Sequence, residues 1–203
     1  MSTESPLLEK VLNENDYTVS KTKIGGLLVV ERSAADDERG FFKEVYRKSL
    51  LQNLSVEFND VQVNHSCSRT RVIRGIHAEK WDKFVYPLSG RMMSAIVDLR
   101  EDSPTFAKVE YFYFDCVNAL PSKALFLPKG MGNSICAVEG PVNYVYFVSD
   151  YWTKDSSFAV NPFDKDLNIQ WPVENPILTI NDMTAPMMRT RFPNKYQKNE
   201  QRT

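Results

Sequence analysis

Short runs of β-branched and aromatic residues, each ended by a turn signal, are what most constrain the fold of this chain. In Met93-Ser94-Ala95-Ile96-Val97-Asp98-Leu99, the residues Met93, Ala95, Val97 and Leu99 fall on one face of a pleated strand. Val109-Glu110-Tyr111-Phe112-Tyr113-Phe114 and Tyr144-Val145-Tyr146-Phe147-Val148 have the same strand-forming composition. Leu88-Ser89-Gly90, Ala119-Leu120-Pro121-Ser122, Pro128-Lys129-Gly130 and Glu139-Gly140-Pro141 punctuate them. This spacing predicts an all-β antiparallel sandwich or barrel of the jelly-roll kind with few short helices. One helix is predicted over 42–54, where Val45, Leu50, Leu51 and Leu54 give a rough apolar face.

The 203 residues suit one domain with a real core. No repeat or linker splits the chain. We expect an N-terminal extension over 1–20, loose over its first dozen residues, and a main domain over 21–188. A polar, basic segment follows over 189–203, either a mobile tail or a surface strap. A formal net charge of −1 provides no bulk positive field for nucleic acid, so any anion must be held by a few placed cations. No apolar stretch approaches membrane-spanning length, and Met1-Ser2-Thr3-Glu4-Ser5 lacks the order of a secretory signal. Cys67, Cys116 and Cys136 are odd in number and form no C-x-x-C, which fits a reduced, cytoplasmic setting.

The chain has only two histidines, His65 and His77. His77 closes Arg74-Gly75-Ile76-His77, which puts an arginine, a glycine and an imidazole within four positions. That set suits an anionic ligand whose neighbouring carbon loses or gains a proton, because imidazole titrates near neutrality and can act as base or acid. His65, in Gln62-Val63-Asn64-His65-Ser66, is read as structural.

Beyond these features, the chain resembles the deoxysugar nucleotide 3,5-epimerases of the dTDP-4-dehydrorhamnose type. The resemblance runs from about Gly25 to Pro186. It rests on Glu38-Arg39-Gly40-Phe41-Phe42-Lys43-Glu44, Gln62 to Ser68, Arg74 to His77, Val97 to Phe106 and Leu127-Pro128-Lys129-Gly130. Tyr146, Asp150-Tyr151-Trp152, Ile169-Gln170-Trp171-Pro172 and Asn181-Asp182 then follow in order. It implies the cupin jelly roll, a homodimer, no cofactor and no metal. The implied substrate is a nucleoside diphosphate 4-keto-6-deoxyhexose of the dTDP-rhamnose pathway. By the same resemblance His77 is the base, Asp182 orients it, Tyr146 is the acid on the opposite face and Lys83 steadies the enolate oxygen. Arg39 and Arg74 take the diphosphate, where guanidinium forks match paired oxygens. Glu44, Gln62 and Asn64 make polar contacts to base, ribose or sugar, and Trp152 stacks on the nucleobase.

The chain also departs from that family. A histidine commonly follows Pro-x-Gly-x-x, whereas here the residue is Asn133, which can hydrogen-bond a sugar oxygen but carries no titrating charge. The familiar glutamine two residues after the base is Glu79, and the loop Lys80-Trp81-Asp82 before Lys83 is short. Three further readings stay open: a single-centre epimerase, a ketoisomerase on a related 4-keto sugar, and a non-catalytic sugar-nucleotide-binding cupin. Metal-dependent cupin chemistry is disfavoured, because neither histidine belongs to an H-x-H pair. A Rossmann cofactor site is excluded, since the glycines never form G-x-G-x-x-G.

Overall fold

A computed structural model describes residues 9–14, 17–117 and 122–200. Strands β1 (Glu9–Glu14), β2 (Tyr17–Lys21) and β3 (Leu28–Arg32) lead into a small hairpin of β4 (Ala35–Asp37) and β5 (Gly40–Phe42). Helix α1 (Lys48–Gln52), β6 (Gln62–Ser68) and β7 (Ile73–Glu79) precede the long strand β8 (Lys83–Asp98). Then come β9 (Val109–Asp115), β10 (Ser122–Leu127), the second long strand β11 (Met131–Val148) and β12 (Ser157–Ala159). Three short helices finish the chain: α2 (Ile180–Met183), α3 (Met188–Arg191) and α4 (Pro193–Glu200).

The two long strands organise everything else. They pair with each other antiparallel from Met131↔Asp98 to Val148↔Lys83, with register shifts between Ala137 and Tyr144. On one side of those shifts, β8 continues into β9 and β11 into β7. On the other, β8 pairs β10 and β11 pairs β6. Each long strand therefore belongs to two halves of one hydrogen-bonded network, and bending at the shifts folds the halves into a jelly roll.

The side-chain alternation of β8 shows why both halves are stable. Met92 and Ile96 point into a central core with Val29, Phe112, Phe114, Leu125 and Met131. Met93, Ala95, Val97 and Leu99 point the other way, as the sequence alternation requires, and are equally buried. They are covered by Val160, Leu167, Ile169, Met188 and Phe192 from the C-terminal segments. A third cluster around Tyr17, Val19, Phe84, Tyr86 and Phe126 covers the outer face of the other half.

Three expectations need correction. The helix expected over 42–54 is confined to Lys48–Gln52, while Phe42 ends a strand. Leu50, Leu51 and Leu54 keep helical spacing but Val45, five residues before Leu50, does not extend it, and Arg47 supplies no side-chain cap, so only one turn is held, by buried Leu50 and Leu51. The N-terminal extension is not loose throughout, because β1 pairs β2 and Tyr17 and Val19 enter the core. The boundary at 20 thus cuts a strand. At the other end, the boundary at 188 falls inside α3, and 188–196 act as a strap: Met188 and Phe192 are buried and Arg189 pairs with Asp166. Residues 1–8 and 201–203, and the turn expected over 119–121, lie outside the described residues.

Candidate active site

A cavity of about 340 Å³ opens between the two halves, within the usual range for small-molecule sites. Its wall includes Arg74, His77 and Glu79 from β7, Lys83 from β8, Asn133, Tyr144 and Tyr146 from β11, and Asp182 from α2. His77 and Glu79 are two apart on one strand, so they share a face. Arg74 is three residues from His77 and in a regular strand would point away. The pairing Asn133↔His77 and Ile135↔Arg74 sets three steps on β7 against two on β11, a bulge that turns Arg74 into the cavity with His77. Gly75 makes this possible. It has φ +109°, and a Cβ there would lie 2.6 Å from the Asn133 carbonyl oxygen.

The imidazole Nε2 of His77 lies 2.7 Å from Asp182 Oδ1. Asp182 is buried, whereas the His77 side chain is 44% exposed towards the cavity. Thr179 caps α2 by accepting a hydrogen bond from the Asp182 backbone amide, which fixes the carboxylate relative to the ring. Burial pushes the Asp182 carboxyl up, but hydrogen bonds led by that from His77 hold it below its ordinary value. An ionised Asp182 accepts from Nε2–H, leaving Nδ1 as the nitrogen able to take a proton.

On the other wall, Lys83 is buried in an ion pair with Glu79, Nζ to Oε1 2.5 Å. The ammonium lies 5.7 Å from the centre of the Tyr146 ring. Burial pulls the Lys83 pKa down while the Glu79 carboxylate pulls it back, and the net shift is downward. Burial and the same carboxylate raise Tyr146, keeping its hydroxyl protonated. Tyr144 packs beside Tyr146 and accepts a hydrogen bond from Asn133 Nδ2 at 3.3 Å. The Asn133 Oδ1 is buried without a partner. Arg74 is held by Ser68 Oγ and the Cys67 carbonyl, so its guanidinium is steered rather than free.

The structure thus brings His77, Asp182, Tyr146, Lys83, Arg74 and Asn133 to one cavity. Gln62 and Asn64 are neighbours of that wall: Asn64 is register-paired with Tyr146, and Gln62 donates to Asn64 Oδ1 at 2.7 Å. Arg39, Glu44 and Trp152 lie elsewhere. Arg39 sits at the tip of the β4–β5 hairpin, 84% exposed and paired with Asp37. Glu44 is gripped by Arg47, Tyr17 and Arg32, which hold its carboxyl down to about 2. Trp152 is 64% exposed in the segment after β11. His65 is on the face of β6 turned from Asn64 and bonds Asn143. Sequence reasoning assigned no role to Ser66, Tyr144 or Thr179, although alternation from Gln62 and Asn64 to Ser66, and the capping pattern Thr179-x-x-Asp182, were both available. Among the described residues, no group of three or more His, Cys, Asp or Glu could hold a metal. No helix among the described residues is long and apolar enough to cross a membrane.

Comparison with known proteins adds to this geometry. A family model described as dTDP-4-dehydrorhamnose 3,5-epimerase matches residues 21–190. A dTDP-4-dehydrorhamnose 3,5-epimerase of Shigella flexneri is 33% identical over 174 residues, 82% of this chain and 93% of that protein. A dTDP-4-dehydro-6-deoxyglucose 3-epimerase of a Streptomyces species is 31% identical, covering 76% of this chain and 80% of its own. The crystal structure of a dTDP-4-dehydrorhamnose 3,5-epimerase from Bacillus anthracis, with TDP and PPi bound, superposes with a TM-score of 0.79. It is 33% identical and covers 85% of this chain and 99% of that one.

Proposed function

This chain belongs to the dTDP-4-dehydrorhamnose 3,5-epimerase family, and from that premise we propose that it inverts carbons 3 and 5 of dTDP-4-dehydro-6-deoxyglucose through enolate intermediates. The observation that carries the reading is the oriented His77–Asp182 pair in one cavity with Tyr146 and Lys83. The sugar's ketone acidifies the hydrogens on both flanking carbons. His77 Nδ1 takes one of them, and the C–H electron pair moves into the ring and onto the ketone oxygen. Asp182 stabilises the imidazolium that results. Lys83, which lines the same cavity, supplies the positive group that offsets charge on that oxygen. Tyr146 returns a proton to the carbon from the other wall and becomes a tyrosinate, which His77 and solvent restore. Arg74 takes the diphosphate, and the partnerless Asn133 Oδ1 accepts from a sugar hydroxyl.

The test is NMR of dTDP-4-dehydro-6-deoxyglucose incubated with the protein in deuterium oxide. Deuterium is expected at both carbons 3 and 5. Label at carbon 3 alone would convert the reading to single-centre epimerisation, as the name of the Streptomyces relative describes. No label would sink it.

A homodimer is part of this reading. Phe41 and Phe42 are 61% and 76% exposed on the β4–β5 hairpin, and Tyr151 and Trp152 are comparably exposed. Apolar side chains left in water on this scale fit a covered surface. Light scattering at micromolar concentration is expected to return twice the 23.4 kDa chain mass, and a monomer mass would reject the dimer. Three free thiols fit a reducing, cytoplasmic compartment.

A further inference from the structure

The reaction read above explains His77, Asp182, Tyr146 and Lys83, but leaves the acid Glu79 in the middle of the site without a task. Its carboxylate is 11% exposed and its ion-pair partner Lys83 is 8% exposed, so neither charge is dissolved in water. An isolated buried carboxylate is costly, and proteins retain one where it is paired. Glu79 is also built in. Its carbonyl accepts from the Gly130 amide at 2.8 Å, and β7 is flanked by β11 and β12.

We propose that Glu79 is a positioning residue for the enolate-stabilising step: its carboxylate keeps Lys83 a protonated ammonium and fixes the direction of Nζ beside Tyr146. This rests on the epimerase reading above.

A lysine enclosed by apolar strand residues tends to lose its proton, and buried lysines that titrate in the range of about 5–6 are known. A neutral amine would offer the enolate oxygen only a weak dipole. A carboxylate within a hydrogen bond of Nζ opposes that tendency, and it occupies one of three ammonium protons, leaving others for the substrate oxygen. The groups around Lys83 support no other source of this effect. From β11 it meets Tyr144 and Tyr146, both protonated phenols, and the Lys83 pairing positions on β10 and β11 are Leu127 and Val148. From β7 it shares the cavity with Glu79, His77 and Arg74, and from α2 with Asp182, which is engaged by His77. Glu79 is the acid placed on Lys83. The same carboxylate disfavours tyrosinate at Tyr146, so one residue sets both neighbours in their working protonation states.

The experiment compares the parent with Glu79→Gln and Glu79→Asp in two measurements. One is deuterium exchange into dTDP-4-dehydro-6-deoxyglucose as a function of pH. The other is an NMR titration of the Lys83 ε-carbon in protein carrying ¹³C-labelled lysine, assigned with a Lys83→Arg variant. In the parent, Lys83 is expected to stay an ammonium through pH 8. In Glu79→Gln its titration, and with it the alkaline limb of exchange, is expected to move down by at least one unit. Exchange at pH 8 then falls about tenfold for each unit that the Lys83 pKa lies below the assay pH. Glu79→Asp should recover part of the shift. A Lys83 already neutral at pH 7 in the parent would overturn the proposal, and that measurement needs no variant to fold. So would a Glu79→Gln pH profile that superposes on the parent after scaling, or exchange that becomes faster at every pH. A parent with no exchange at all would defeat the epimerase reading itself.

Discussion

Replacing His77 by asparagine is expected to leave a folded protein whose deuterium exchange at carbons 3 and 5 falls by on the order of 10²–10⁴-fold, the usual contribution of a general base. The loss should be at the upper end, because one ring serves both centres. The substitution preserves the fold for a specific reason. His77 is half-exposed on the cavity wall, and its strand is held by β11 and β12 through backbone bonds that asparagine can repeat. Asparagine ends near the position of Nδ1 and does not reach Asp182 in place of Nε2, but the buried carboxylate keeps the hydrogen bond from the Gly75 backbone amide, so the loss of proton transfer is not compounded by a partnerless charge. Retention of near-parent exchange would remove His77 as the base. Asp182→Asn makes a useful companion: an amide at 182 no longer favours the tautomer with Nδ1 free, so its loss should be large but smaller than that of His77→Asn.

The parts of this site that can be read from sequence are those set by short-range periodicity. Met93, Ala95, Val97 and Leu99 share a buried face because strand alternation is local, and the structure honours it. Glu79 follows His77 by two and so had to face the same way. What local periodicity does not supply depends on register and on long-range return of the chain, and was expected only from the Arg74–His77 motif and the family resemblance. Arg74 and His77 are brought together by a bulge that exists only in the pairing with β11. Asp182 is 105 residues from His77, and nothing local joins them. The first dozen residues were expected to be loose, yet β1 pairs with β2, the strand that carries Tyr17 and Val19 into the core. Arg39, Glu44 and Trp152 have side-chain types suited to a nucleotide, but a motif does not say on which surface its loop will lie. The hairpin and the segment after β11 leave Arg39 and Trp152 exposed and off the lining of this chain's cavity.

The second large effect separates acid from oxyanion stabilisation. Tyr146→Phe keeps the ring that packs on Tyr144 and removes the hydroxyl, so stability should change little. His77 can still take a proton and return a deuteron from solvent to the same face. Exchange is therefore expected to persist while inversion falls by on the order of 10²-fold or more. Tyr144 is the residue that complicates this test, since it lines the same cavity. A Tyr144→Phe control should leave inversion nearly intact, because Tyr144 is buried and its hydroxyl is tied to Asn133. Loss of Lys83 should act earlier and suppress exchange itself, since the enolate oxygen then forms without its positive partner. Lys83→Ala alone would strand the Glu79 carboxylate, and breaking a buried pair this way costs about 3–5 kcal/mol. The cleaner variant is Lys83→Met with Glu79→Gln, which removes both charges, keeps the volume and isolates the catalytic loss from the folding loss. If Tyr146→Phe abolishes exchange as fully as His77→Asn, the two walls do not divide the labour. If it inverts both centres at the parent rate, Tyr146 is a packing residue and another proton donor completes the reaction.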